Sequence, residues 1–500
     1  MIASLLLSWY DRCGRTLPFR GTKDPYPIWI SEIMLQQTRT ETVGDYYLRF
    51  LCRFPDVFSL AEAAEQDVLK MWEGLGYYSR ARNLHKAAKI IAADYQGVFP
   101  ADEEKLRQLP GVGDYTAAAV ASIAFDLPCP AMDGNLTRVL SRLHGVREDV
   151  GMPSVKTQVL ALAREDRPPH RCGDFNQALM DLGATVCTPG TPDCEACPLR
   201  TLCQAYAAGD QDMLPVKAAA KPPKEIKAAV AILTCGAKTL LLQRKEALLR
   251  GLWIFPMTEE GDTPEAMEKR LQQLGVKAQL VRPLGEAKHI FTHRIWQMKI
   301  YHFRAEKMES REGRWASLSE MQSLPLPTAV KAARDFAQGL LTPRILSLTP
   351  DRMAGAAAAY AVSWQQSHEK HCSQAFLREH DEKHMEMILR GHLSVGKKVY
   401  AIEACGETAG ILVLDPTENE LVSLYIHPLF QHSGLGRAAV RFAVSALNAA
   451  RDMRVTLLCD NEAARQLYAA NGFTHVQATR ALNPARGVYE EDRIRKGESI

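Results

Sequence analysis

Leu109-Pro110-Gly111-Val112-Gly113-Asp114-Tyr115-Thr116 runs directly into a small-residue stretch, Ala117-Ala118-Ala119-Val120-Ala121. The two glycines permit a tight turn and close backbone approach, and Asp114 or Tyr115 opens a helix. A helix start behind glycines offers free N–H groups and a favourable dipole to a phosphate. The stretch reads as a hairpin of two helices that grips one DNA phosphate without reading sequence, with Gly111 and Gly113 at the contact. A glycine turn between two core helices is the plain alternative. Further on, Asp133-Gly134-Asn135 follows a break at Pro128 and Pro130.

Downstream, Cys187, Cys194, Cys197 and Cys203 follow a C-x6-C-x2-C-x5-C spacing within seventeen residues. They are too tightly packed for independent disulfides. Four thiolates suit a tetrahedral zinc or an iron–sulfur cluster, and the spacing leaves both open.

With these motifs, residues 1–340 resemble the MutY-type adenine DNA glycosylases of the helix-hairpin-helix, iron–sulfur superfamily. The resemblance also rests on Trp29-Ile30-Ser31-Glu32-Ile33-Met34-Leu35-Gln36-Gln37-Thr38 and on Gly74-Leu75-Gly76-Tyr77-Tyr78. It implies a 4Fe-4S cluster on the four cysteines rather than zinc. The partner it implies is double-stranded DNA carrying A:8-oxoguanine or A:G mispairs.

A length of 500 residues exceeds a usual single domain two- to three-fold, on a prior of about 150 residues each. A net charge of +3 does not announce nucleic acid, so a basic surface must be local. Arg80, Arg82, Lys86 and Lys89 on one helical stretch are candidates, although such a run is more often a solvated face. The eight remaining cysteines of twelve are widely spaced and show no disulfide framework. The start of the chain lacks a basic n-region and a cleavage site, and no run of about 18 apolar residues appears. The expectation is a monomer of the cytoplasm, nucleoid-associated if bacterial, with no membrane contact.

Composition divides the chain. Residues 1–210 alternate apolar helical stretches with glycine and proline punctuation and read as all-α. Residues 211–226, with Pro215, Pro222, Pro223 and several lysines, read as a linker. Residues 227–340 show strand patterns at 228–234, 239–243 and 296–303 and one helix at 264–274, an α+β block. After Pro343, residues 345–500 read as α/β, with helices near 351–367 and 373–390 and strands near 399–404 and 409–414.

Cleaving a purine N-glycosidic bond needs an acid at the leaving base and negative charge near an oxocarbenium-like sugar. Glu32 lies in an apolar helical segment, where burial would keep it protonated. Asp133 begins a helix, where amide donors would keep a carboxylate ionised. Read alone, the first is a surface position and the second an N-cap. The resemblance makes Glu32 the proton donor to adenine N7 and activator of water, and gives Asp133 the sugar carbon to stabilise or bond. Tyr115 stands where the related endonuclease III lineage carries a Schiff-base lysine, which implies base removal without lyase chemistry. For a flipped base the resemblance assigns Gln37, Tyr77 and Tyr78 to the vacated stack and Asn135 to the DNA contact. The tyrosines could equally be core.

The second block resembles the family's Nudix-like domain, with His289-Ile290-Phe291-Thr292-His293 as the loop that reads 8-oxoguanine. Its contact residues would be Phe291, Thr292 and His293; Thr292 replaces the family's usual serine, keeping a hydroxyl and adding a methyl. The helix from Glu265 to Gly275 lacks the clustered glutamates that Mg²⁺ needs, so pyrophosphatase activity is not expected.

The third block carries Gln431-His432-Ser433-Gly434-Leu435-Gly436-Arg437 at a helix start, then Asn461 to Ala464 and Leu467-Tyr468-Ala469-Ala470-Asn471-Gly472-Phe473. It resembles GNAT-type N-acetyltransferases over most of 350–480. The resemblance implies acetyl-CoA held by Gln431, Gly434, Gly436 and Arg437, and Tyr468 as proton donor to the leaving thiolate, unless it only packs. The acceptor, an amine, is unknown. Dense histidines at His368, His371, His380, His384 and His392 read as polar helix faces before a metal site. Rival readings are an endonuclease III-like lyase, and a non-catalytic damage sensor with acetyltransfer as the main activity.

Overall fold

A computed structural model describes residues 1–218, 222–483 and 488–497. Part of the linker expected over 211–226, at 219–221, and two pieces of the third block, 484–487 and 498–500, lie outside the described residues. The chain forms two compact units. The first comprises Met1–Pro222 with Arg244–Leu252 and Pro325–Thr328; the second holds Pro223–Gln243, Trp253–Leu324 and Ala329–Ile500.

The first unit is helical: α1 (Ile2–Cys13), α2 (Pro25–Leu35), α3 (Thr40–Arg53), α4 (Val57–Glu62), α5 (Glu65–Met71), α6 (Ser79–Asp94), α7 (Glu103–Arg107), α8 (Asp114–Phe125), α9 (Gly134–Leu143), α10 (Pro153–Asp166), α11 (Cys172–Thr185) and α12 (Gln204–Ala208). The caps are the residues such ends favour. Asp24 accepts from the Tyr26 N–H at 3.0 Å to start α2, Asp102 from Lys105 at 3.0 Å to start α7, and Asp133 from Leu136 at 2.7 Å to start α9. Between α7 and α8 the hairpin turns at Gly111, whose φ is +77°; a Cβ there would lie 2.7 Å from Asn83 Cβ.

α2 is apolar on nearly every side and sits inside the unit. α8 is built of small residues because α11 crosses it closely: a Cβ on Gly173 would come within 2.6 Å of the Ser122 carbonyl oxygen and Ile123 Cα. Where the two helices meet, buried Asn176 donates to Ser122 Oγ and to the Cys129 carbonyl, both at 2.8 Å, and accepts from the Ala131 N–H at 3.2 Å. That side chain pins the turn leading to Asp133.

Residues expected to begin the linker pack instead on this unit. Leu214 is buried, its carbonyl accepts from Arg142 Nε at 2.9 Å, and the Val216 carbonyl accepts from the Val150 N–H at 3.1 Å. The expected linker end is also structured, since β1 (Lys224–Cys235) starts three residues before 227.

In the second unit β1 continues to β2 (Lys238–Gln243), β3 (Trp253–Ile254), β4 (Met257–Thr258), α13 (Pro264–Gln273), β5 (Ala278–Ile290), β6 (Arg294–Ala305), β7 (Arg314–Ala316), α14 (Leu318–Ser323) and α15 (Lys331–Leu341). The sheet runs β3-β2-β1-β6-β5, with β4 beside β1 and β7 beside β2, and β1 pairs β6 in parallel. β5 was not anticipated. It is largely exposed, carries Pro283 and Gly285, and slips register near both Leu280 and Pro283, which erases an alternating pattern.

A second sheet follows: β8 (Arg344–Ser347), α16 (Pro350–His368), α17 (Gln374–Glu379), α18 (Glu382–Ser394), β9 (Lys398–Ala404), β10 (Glu407–Asp415), β11 (Glu420–Ile426), α19 (Leu435–Ala446), β12 (Met453–Leu458), α20 (Glu462–Ala469), β13 (His475–Asn483) and β14 (Val488–Arg495). Its order is β13-β14-β12-β11-β10-β9-β8. The helix expected over 373–390 breaks in two because Asp381 caps a new start, accepting from the His384 N–H at 2.9 Å. Among the described residues, β11 and β12 pair in parallel only at Glu420/Arg454 and Leu421/Val455, and then part.

The α8–α11 crossing sets a testable contrast. Gly173→Ala should destabilise the protein by about 1–3 kcal/mol in chemical denaturation, since backbone cannot yield. Gly44→Ala in α3, whose Cβ would meet nothing nearer than Pro18 Cγ at 3.6 Å, should stabilise by about 0.4–1 kcal/mol.

Candidate functional site

A pocket in the first unit is lined by Glu32, Tyr115, Asp133 and Asn135, with Arg20 and Gln177 among its other walls. Four segments far apart in sequence meet there. α2 supplies Glu32, which is 6 % exposed. The first turn of α8 supplies Tyr115, whose hydroxyl donates to Glu32 Oε2 at 2.6 Å. Burial raises the Glu32 carboxyl above its ordinary range; the Tyr115 hydrogen bond and the nearby Arg20 charge pull it back only in part, and Asp133 raises it further. The same burial, with Glu32 beside it, holds the Tyr115 phenol well up, so it stays a donor.

Asp133 accepts from the Leu136 N–H at 2.7 Å and from Asn135 Nδ2 at 2.9 Å. These are the donors expected for an N-cap. The expected net effect does not follow, however: burial outweighs the donors, and the Asp133 carboxyl is raised rather than held low. Asn135 is turned inward by this bond and accepts in turn from Arg138 Nη2 at 2.8 Å. Arg138 Nε reaches the Cys187 carbonyl at 2.7 Å and so ties the pocket to the cysteine loop.

The four cysteines face a common pocket with Arg142, which donates to Cys187 Sγ at 3.3 Å and to the carbonyls of Thr188 and Gly190 at 2.8 and 3.1 Å. Among the described residues, no group of three or more His, Cys, Asp or Glu converges on one ion position. Four thiols around one space are the donor chemistry of a zinc ion or an iron–sulfur cluster.

Gln37 and Tyr77 are exposed, Tyr77 at 46 %, and both hold left-handed backbone, with φ of +57° and +47°. Such positions cost free energy and persist when their surroundings enforce them. Tyr78 differs from its neighbour: it is 4 % exposed and its hydroxyl accepts from the Gly74 N–H at 3.2 Å, so it belongs to the core. Arg80, grouped in the sequence with a basic surface, is buried as well. Its guanidinium donates to the carbonyls of Ile33 at 2.9 Å, Met34 at 2.8 Å and Gln36 at 2.5 Å, and to those of Leu75 and Gly76 at 3.2 Å. It therefore caps α2 and braces both the Gln37 and the Tyr77 turns. Burial pushes its pKa down to about 10. Nothing in the sequence separated Arg80 from Arg82, because its partners are carbonyls.

In the second unit, Phe291-Thr292-His293 forms the tip between β5 and β6, closed by the Phe291 N–H donating to the Arg294 carbonyl at 2.8 Å. Thr292 and His293 are exposed, while Phe291 packs edge-on against His289 and Trp296 at 4.5 and 4.9 Å. Further along, Gly434 caps α19 with φ of +92°, and nothing lies within 4 Å of a Cβ built there. Gly436 lies in the first turn, a Cβ there 3.3 Å from Leu467 Cδ2, and Arg437 is exposed. The Gln431 side-chain amide donates to the Ile426 carbonyl at 3.0 Å and to Gln366 Oε1 at 2.9 Å, and its backbone N–H donates to the Pro428 carbonyl at 3.3 Å. Tyr468 is buried against Phe473, and burial raises its phenol. Among the histidines, His368 and His380 stack on the two sides of Trp364 at 4.1 and 4.2 Å, and His371 pairs with Asp460 at 2.9 Å.

Glu32 yields a signed prediction on stability. Its folded-state pKa lies above the unfolded one, so below the unfolded value it imposes no penalty. The penalty enters as pH rises through the window between the two and is full above the folded value. Glu32→Gln should therefore melt above the parent protein at alkaline pH in calorimetry, with the gap closing as pH falls to the unfolded carboxyl range.

Residues 30–163 match the helix-hairpin-helix superfamily of base excision DNA repair proteins, 228–335 a NUDIX domain and 396–475 an acetyltransferase (GNAT) domain. The adenine DNA glycosylase of Homo sapiens is 35% identical over 400 residues, covering 67% of this chain and 73% of that protein. That of Buchnera aphidicola subsp. Schizaphis graminum is 32% identical over 336 residues, covering 66% of this chain and 97% of that one. Among solved structures, a thermostable thymine-DNA glycosylase is 32% identical, covering 41% of this chain and 94% of its own, with a TM-score of 0.38. No helix among the described residues is long and apolar enough to cross a membrane.

Proposed function

The chain belongs to the adenine DNA glycosylase family, and we propose that it removes adenine mispaired with 8-oxoguanine or guanine, by hydrolysis and without strand cleavage. The observation that carries this reading is the buried Glu32 carboxyl, its pKa raised by burial, oriented by Tyr115 at 2.6 Å beside Asp133. A flipped adenine would take the Glu32 proton at N7, its C1′–N9 bond would break, and the bond's electron pair would leave with the base. Asp133, held by two donors and ionised above its raised pKa, is the charge for the oxocarbenium-like sugar. Glu32, now a carboxylate, takes a proton from the water that attacks C1′. Tyr115 offers no amine for a Schiff base.

In this reading Gln37 and Tyr77 fill the vacated stack, Gly111 and Gly113 hold a phosphate, and Thr292 and His293 meet the lesion. Cys187, Cys194, Cys197 and Cys203 would hold a 4Fe-4S cluster, which when bound cross-links the thiolates of its loop. The third module, 345–500, would bind acetyl-CoA at the Gly434 turn, beside the gap where β11 and β12 part, and acetylate an amine. Tyr468 is its candidate proton donor.

Glu32→Gln should slow single-turnover adenine release from an A:8-oxoguanine duplex by about 10²–10⁴-fold or more, with duplex affinity nearly unchanged. Near-parental release would refute the role given to Glu32. Borohydride should trap little covalent complex, and efficient trapping would return the lyase reading.

For the third module, calorimetry on the full-length chain should detect acetyl-CoA binding that Gly436→Glu removes by bulk and like charge. Binding that survives Gly436→Glu would exclude this turn as the pyrophosphate site.

A further inference from the structure

Arg20, in the segment between α1 and α2, lines the same pocket as Glu32, Tyr115 and Asp133. Its guanidinium is not free to choose among those carboxylates. Nη1 donates to Asp181 Oδ2 at 2.6 Å and Nη2 to Asp181 Oδ1 at 2.8 Å, a fork-to-fork pair. The same carboxylate accepts from Arg15, from its N–H at 2.9 Å and from Nε at 2.7 Å. Asp181 stands in the middle of α11 with its side chain 0 % exposed. A buried ion pair pays a desolvation penalty, and no step assigned to Glu32, Asp133 or Tyr115 uses this one.

What the pair does follows from what a loose arginine would do. A positive charge beside a carboxyl favours its anion, and Arg20 is close enough to act on Glu32 in that sense. Released from Asp181, the guanidinium would find two other carboxyl groups on the walls of the pocket, Glu32 and Asp133. A direct pair with Glu32 would favour its anion and lower the pH at which the acid is lost. Four donors from Arg15 and Arg20 occupy the Asp181 carboxylate and hold the Arg20 fork on it.

We propose that Asp181 is a positioning residue for base removal: it occupies Arg20 from behind, so that the guanidinium faces Glu32 without pairing with it. The proposal rests on Glu32 as the acid. The charged or titratable groups acting on Glu32 are Tyr115 from α8, Asp133 from the cap of α9 and Arg20. Arg15 also lines the pocket, whereas α11 contributes Gln177 and Met180 to its wall.

The test is the pH profile of single-turnover adenine release by the full-length protein, from about pH 5 to about pH 9. The parent should lose rate as pH rises through the titration of its acid. Asp181→Asn should move that limb to lower pH, so that the rate at about pH 8 falls about tenfold more than at about pH 6. Asp181→Glu should restore most of the profile. Arg20→Gln alone should move the limb to higher pH, which reads the proposal even if Asp181→Asn fails to fold; in that background Asp181→Asn should move it no further. An equal loss at every pH in a folded Asp181→Asn protein, or an Arg20→Gln limb that stays at the parental position, overturns the proposal. A parental profile with no acid limb, together with an active Glu32→Gln protein, overturns the role of Glu32 instead.

Discussion

A carboxyl group with almost no access to water must keep its proton or be surrounded by donors, and among the described residues Glu32 is given one donor, the Tyr115 hydroxyl. The rest of the first unit is arranged around that shortage. α2 is apolar on nearly all sides, which removes water from Glu32. α8 is narrow enough at its alanines for α11 to cross it at Gly173, which brings Tyr115 and the walls of the pocket together. Asp133 shares the pocket but has two donors, one from backbone and one from Asn135. Two carboxyl groups with unequal company can divide the roles of acid and anion.

What was legible in the sequence was local. The apolar run around Glu32, the glycines before Asp114 and the Asp133 cap each carry their meaning within a few residues, and the structure has all of them where expected. What was not legible depends on distant partners. The aromatic pair Tyr77-Tyr78 divides between outside and inside, with Tyr78 accepting from the Gly74 N–H, and nothing in the pair signals which is which. The direction of the Asp133 shift depends on total burial, so its donors, visible in the sequence, told only half. The break between α17 and α18 was readable in principle, since Asp381 precedes Glu382 as a cap should, but the hydrophobic pattern ran across it.

Three buried arginines join segments far apart in the first unit. Arg80, Arg138 and Arg142 each donate chiefly to backbone carbonyls, across two loops, to the cysteine loop, and to the segment after α12 respectively. A guanidinium suits this use because its donors form a rigid fan and its charge is weakly hydrated. Carbonyls exist at every residue, so such an arginine reads in the sequence as surface charge. Asp181 was obscured in the same way, as a single acid in Ala178-Leu179-Met180-Asp181-Leu182 whose partners lie some 160 residues earlier.

The join inside the second unit bears on how its third block works. Pro343 marks a boundary in the sequence, and α15 ends at Leu341 just before β8 begins at Arg344, already an edge of the next sheet. The two blocks also meet through backbone and charge. The Cys405 N–H donates to the Leu340 carbonyl at 2.8 Å, and Arg304 pairs with Glu407 at 3.1 Å. Ala237, from the turn between β1 and β2, is buried in the core formed with β10 and α19. Cutting the chain at 345 would sever β8 and strip the β9–β10 turn of its acceptor. A ligand at the Gly434 turn would therefore bind a sheet held to the Nudix-like domain at its β9–β10 turn and through Ala237, which makes the intact chain the object for measuring that binding.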